Sequence, residues 1–372
     1  MHAQKALLSV AVLFAISGSA LADNSTVNTN QNGSGNRLVS TQVSADRSSV
    51  TINQTGANNG ADVQQTANRS QVGVNQTGSQ NSAVARQDGD RNNSSITQVG
   101  NGAQNATIAQ DGYRNVASIG QNYSVNTGAT INQGGWSNNA SAVQNGNLNS
   151  AANLTQSGIS NQASSNQQGN VSSQATLNQN GGFNNNGSVT QTGNTSAGAS
   201  LTQTWGSNNQ ASISQQYTVA NNTASIEQNY GATNQASVSQ AGGWNNSASV
   251  KQNGGMFNNA NVNQLSVAES SANIRQNGVN NSANANQSYG YALKSDIAQD
   301  GSNLTANTVQ TGSYNEASLL QTGYNNSANV NQSGIGLAGQ SNVVALTQAN
   351  SNQTANVVQT GGAGNTAIVT QR

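Results

Sequence analysis

The chain is predicted to fold as an all-β solenoid: stacked strand-turn-strand repeats forming two parallel, in-register sheets of the cross-β kind. Three observations predict it. A short unit ending in Gln recurs in 29 copies, the residues before each Gln alternate in character, and there is no Pro to interrupt a strand.

The N-terminus is read first as a leader. His2 and Lys5 precede the apolar run Ala6–Ile16, and Ala20-Leu21-Ala22 places small residues at the cleavage positions, so residues 1–22 read as a signal peptide. The mature chain is then secreted and begins near Asp23. The apolar run is 11 residues long, well short of the roughly 20 that a membrane helix needs. No membrane insertion is expected. Residues 23–35 are polar and are set outside the repeat, and residues 36–372 form the repeat array.

Composition excludes several alternatives. Only 6% of residues are charged and 4% aromatic, which is too little for a conventional layered core, while zero net charge and the absence of Pro argue against ordinary disorder. There is no Cys, so no disulfide framework can hold an exported chain together. Near-neutrality permits close self-association and makes nucleic acid an improbable partner, since phosphate neutralisation needs a concentrated basic surface.

The repeat is clearest in Ala211-Ser-Ile-Ser-Gln215, Ala236-Ser-Val-Ser-Gln240 and Ala248-Ser-Val-Lys-Gln252, with successive terminal glutamines mostly 11 or 12 residues apart. Two residues before the Gln stands Val, Ile or Leu in 23 of 29 units, four before stands Ala in 22, and six before stands Asn in 18. These sites share parity, so an extended strand points them to one face. The pattern is Asn-x-Ala-x-Val-x-Gln. All 20 charged residues after Asp23 avoid those inward sites, as burial of an unpaired charge costs several kcal/mol.

Turn chemistry fills the rest of each unit. Gly stands two after the Gln in 19 of the 28 units that have a successor. Two strands and two turns make a rung, giving about 14 rungs from the 29 units. Stacked identically, the inward amides form ladders that satisfy their donors and acceptors along the stack. Representative ladder residues are Gln54, Asn59, Gln65, Asn115, Gln121, Asn209, Gln215, Asn234, Gln240, Asn246, Gln252, Asn326 and Gln332. Irregular rungs are expected at Gln228, where the spacing is 13, and at Gly334-Ile-Gly-Leu-Ala-Gly339, where it reaches 16.

At this spacing the repeat resembles that of curlin, the curli fimbriae subunit, as in Ser48-Ser-Val-Thr-Ile-Asn-Gln54-Thr-Gly56-Ala-Asn-Asn59-Gly-Ala61-Asp-Val-Gln-Gln65. The likeness covers roughly residues 36–372, with more units than the short curlins. It implies a structural subunit of extracellular amyloid fimbriae with roles in adhesion and biofilm matrix, polymerising with itself by templated stacking. The implied partners are a nucleator subunit and an outer-membrane secretion channel. By the same resemblance, residues 23–35 take the place of a secretion-targeting segment.

The chain is not expected to be an enzyme. Its only His is His2, in the leader, so no nucleophile-base pair or soft-metal site can be assembled, and no cofactor is implied. Asp88 and Asp90 with Arg86 and Arg91 read as a solvated, charge-balanced turn. All 13 mature aromatics lie two to five residues after a repeat Gln, and Trp136, Trp205 and Trp244 are possible surface contacts, unless such rings merely cap the core. Two alternatives remain open: a nucleator of the same fibre, or a monomeric solenoid binding ice or polysaccharide. An ice-binding face needs regular Thr, yet Thr precedes the Gln in only seven units.

Overall fold

A computed structural model describes residues 24–372, so the leader expected at 1–22 lies outside the described residues. The structure divides into two compact units, Met1–Ser150 and Ala151–Arg372. All regular structure among the described residues is β.

In the first unit, 11 strands between Thr26 and Asn145 alternate between two parallel sheets, termed A and B. Sheet A begins with Thr26–Ser34 and sheet B with Arg37–Gln42. Pairing is in register: in A, Ile52 lies beside Val74 and Gln54 beside Gln76, and in B, Gln65 lies beside Gln87. In the second unit, 19 strands between Ala151 and Gln371 repeat the scheme. There Leu177 lies between Leu154 and Leu201 in B, and Ile213 lies between Val189 and Val238 in A.

The alternation that predicted strands also places the core. In Gln210–Gln216, Ala211, Ile213 and Gln215 are buried while Gln210 and Ser212 face solvent. A buried Val, Leu or Ile contributes about 1.5–3 kcal/mol, and the repeat supplies one in 23 of its 29 units. Within each unit every rung adds its own buried residues, so stability accumulates rung by rung.

Four local features refine the sequence reading. Thr26–Ser34, set outside the repeat, is a strand in register with Ser49–Ala57, pairing Gln31 with Gln54 and Gly33 with Gly56, so the described residues form 30 strands rather than 29. The signal was weak because Val27 and Thr29 stand where Ala and Val usually do. Secondly, the insertion near Gly334–Gly339 is a loop closed by Leu337 and Gln340, whose backbones bond reciprocally at 3.2 and 2.8 Å. Thirdly, the longer spacing before Gln228 leaves the register intact, because Ala220 and Asn221 both take left-handed turns at φ 51° and 54°. Finally, a bulge at Tyr289 shifts the register between Ser288 and Gly290. Its extra residue is the difference between the 12-residue interval from Gln287 to Gln299 and the 11-residue interval from Gln310 to Gln321.

Candidate functional site

The inward glutamines bond to one another along each sheet, always in one direction. In the first unit, Gln54 Nε2 donates to Gln76 Oε1 at 2.8 Å and accepts from Gln31 at 2.6 Å. Gln65 donates to Gln87 at 3.0 Å, and Gln121 accepts from Gln98 at 2.9 Å and donates to Gln144 at 2.7 Å. In the second unit, Gln215 accepts from Gln191 and donates to Gln240, both at 2.8 Å. Gln240 then donates to Gln264 at 2.8 Å, Gln252 to Gln276 at 2.9 Å and Gln332 to Gln359 at 2.9 Å. The second Nε2 hydrogen goes to a backbone carbonyl, as from Gln240 to Thr223 at 3.0 Å. These ladder glutamines are thereby satisfied without water, whereas the buried Asn81 Oδ1 and Gln104 Oε1, outside the glutamine ladder, lack a hydrogen-bond partner.

The asparagines work differently. They stand at strand entries and bond mainly to backbone rather than to each other. Asn209 Oδ1 accepts the Asn234 backbone N–H at 3.0 Å, and Asn209 Nδ2 donates to the Gly231 carbonyl at 3.0 Å. Asn59, Asn115, Asn234, Asn246 and Asn326 likewise accept backbone N–H groups of the next rung, from Asn81, Asn138, Asn258, Ser270 and Gln353 at 2.9–3.1 Å. They pin each corner to the one that follows. Where Leu293 and Leu304 replace Asn, the corner is apolar, and nearby Ser295 and Thr308 hydroxyls pair across the core at 2.6 Å.

Charges remain outside. Lys251 Nζ meets both Glu227 oxygens at 3.0 Å on the outer face of sheet B. Burial pushes the Glu227 carboxyl up, but hydrogen bonds from Lys251 and Asn229 and the Lys251 charge outweigh it and hold it below its usual range. A lowered carboxyl adds stability that is present above its unfolded-state value and lost as pH falls through the folded one. Both groups are more than a third exposed, so the pair contributes about 0–1 kcal/mol. Lys251→Met is therefore expected to lower the thermal midpoint slightly at neutral pH and not at all once Glu227 is protonated, as read by circular dichroism melts.

Several turn aromatics touch one another or glycine; Trp136, Trp205 and Trp244 stay exposed, while Tyr113 and Tyr291 are half-buried. In the first unit, Trp136 meets Tyr113 at 5.6 Å between centroids, and the Arg91 and Arg114 guanidiniums lie 5.3 and 4.9 Å from the Tyr113 ring. In the second, Trp244 meets Tyr291 at 6.4 Å. A hydrogen bond to Glu269 pushes the Tyr291 hydroxyl up to about 12. Trp205 lies on the Gly181 backbone, where an added Cβ would come within 2.7 Å of the indole. Among the described residues, no three His, Cys, Asp or Glu side chains gather to hold a metal ion.

Two stretches, residues 67–100 and 301–334, match the family described as curlin associated repeat. No curated protein matches the chain. The first matched stretch covers Gln71–Ser79, Ser82–Asp90 and all but the last residue of Asn93–Asn101, the middle strand lying in sheet B and the other two in sheet A; the second covers Thr305–Ser313, Asn315–Tyr324 and all but the last residue of Ser327–Ile335 in the same arrangement. Each match thus covers three successive strands that alternate between the two sheets, about a rung and a half, and the chain carries two stretches similar to the curlin associated repeat.

Proposed function

We propose that the chain is a structural subunit of an extracellular curli-type amyloid fibre, grown by stacking one copy upon another. The observation that carries this is the one-way Gln ladder. Each rung presents forward amide donors and backward amide acceptors, 2.8 Å from their partners along Gln215, Gln240, Gln264 and Gln287, so a rung of another copy is chemically equivalent to the next rung of the same chain. Parallel strands add their backbone bonds in the same register. Export through a secretion channel, start-up by a nucleator, and adhesion within a biofilm matrix belong to the same reading.

The secretion-targeting role of residues 23–35 is part of this proposal. Thr26–Ser34 would travel unfolded and join sheet A only after export. The purified mature chain is expected to form fibres that diffract at about 4.7 and 10 Å. A chain that stays monomeric for days at high concentration refutes the reading.

A further inference from the structure

Separating the strands by sheet reveals a sidedness in the charge. In the first unit, all 11 described charged residues, from Arg37 to Arg114, lie on B strands or on the turns leaving them. In the second unit, Glu227, Lys251, Arg275, Lys294, Asp296, Asp300 and Glu316 lie on B strands and Arg372 follows the last of them, while Glu269 sits on a turn leaving sheet A. No A strand in either unit carries a charge. Both sheets share one inward motif, so nothing in the core requires this.

The outer A face of the second unit is a flat field of small neutral groups. Its central column runs Ser188, Ser212, Ser237 and then Asn261 on adjacent strands, and the first three line a shallow groove with Asn186, Gln210 and Gln235. Some neighbours bond along the column: Ser237 Oγ to Asn261 Oδ1 at 2.6 Å, and Asn307 Nδ2 to Asn329 Oδ1 at 3.0 Å. The A-strand backbone is already bonded within its own sheet.

We infer that this A face is a lateral interface that pairs with the same face of a second copy of the chain. Hydroxyls and amides both donate and accept, so the surface is complementary to itself, as an isologous contact requires. Covering it desolvates no charge, whereas covering the B face would bury Glu227, Lys251 and Arg275. The size fits as well. Nine strands about 4.8 Å apart and about seven residues long at 3.3 Å each span roughly 900 Å² per copy, against the roughly 800 Å² per partner of a stable interface. Small side chains let two such sheets approach to about 10 Å and interdigitate.

Pairing through the face is separate from growth at the ends. Two triple variants of the full mature chain separate the sheets: Ser188→Lys, Ser212→Lys, Ser237→Lys on A, and Ser200→Lys, Ser225→Lys, Ser249→Lys at the equivalent B sites. By sedimentation velocity on freshly prepared soluble protein, the wild type and the B triple are expected to form dimers and the A triple to remain monomeric. In fibres, mass per length by electron microscopy is expected to halve for the A triple alone. If circular dichroism shows the A triple unfolded, Ser212→Lys alone is read instead, with pairing expected to weaken about tenfold. A monomeric wild type, an equal effect of both triples or no effect of the A variants overturns the interface. So does a monomer that pellets with insoluble polysaccharide, which assigns the face to a glycan. Absence of fibres with the dimer intact counts against end-to-end growth and not against the face.

Discussion

Ile213→Asp is expected to destabilise the second unit by about 5 kcal/mol and to strip hydrogen-exchange protection from the rungs around it. Ile213 is 1% exposed and lies between Val189 and Val238 in sheet A. Removing its aliphatic surface loses about 2–5 kcal/mol, and the new carboxylate must either protonate or draw water into a core one residue thick. Gln215→Lys should act nearly as strongly. It deletes the acceptor used by Gln191 and the donor used by Gln240, each at 2.8 Å, and each orphaned group costs about 1–3 kcal/mol before the buried ammonium is counted. Ser212→Lys, between them in sequence but facing solvent, should change folding stability by no more than about 0.5 kcal/mol. Because solenoid rungs depend on their neighbours, the loss should centre on Asn186–Thr192 and Gln235–Ala241 and fade with distance. Urea unfolding with hydrogen-exchange mass spectrometry reads all three. If Ile213→Asp and Ser212→Lys unfold alike, the parity argument fails.

That parity was legible in the sequence because it is a local property: a strand alternates faces whatever surrounds it, so Ile213 and Gln215 could be placed inside and Ser212 outside from spacing alone. Sheet membership could not be read this way. Ser212 and Ser225 occupy equivalent sites in near-identical motifs, and only the alternation of strands between A and B separates them. The sidedness of charge follows from that alternation. Asparagine shows a second limit. Its inward position was evident from parity, but its partners are the carbonyls and N–H groups of the next turn, as in the contact of Asn209 with Gly231 at 3.0 Å. Their placement depends on how consecutive turns superpose. The contact of Trp205 with Gly181 has the same origin, as does that of Tyr217 with Gly193, both between residues 24 apart. That recurring interval was the signal available for it.

The second large effect is expected at a glycine outside the strand core. Gly278→Ala should destabilise the second unit by about 3 kcal/mol or more, through backbone crowding rather than lost contacts. Gly278 has φ +109°, and a Cβ there would lie 1.9 Å from the Gly301 carbonyl oxygen of the adjacent B strand. No rotamer change relieves that overlap, since a methyl has none. The strand must move instead, and the Gly278 carbonyl moves with it. That carbonyl accepts a 2.8 Å hydrogen bond from Asn258 Nδ2, so the preceding corner loosens too. The crowding is propagated by repetition: Gly301, at φ +150°, would meet the Gly323 oxygen at 2.0 Å in the same way. Gly169 provides the contrast. It is also left-handed, at φ +61°, but nothing lies within 4 Å of its added Cβ, so Gly169→Ala should lose only the 1–2 kcal/mol or so of an L-residue in that conformation. Thermal melts rank the two, and hydrogen exchange at Val279 and Asn280 locates the damage. Equal losses at Gly278 and Gly169 would mean that φ alone sets the need for glycine. A larger loss at Gly278 means that the close stacking of one turn on the next requires it, which is the same closeness the Gln and Asn bonds depend on.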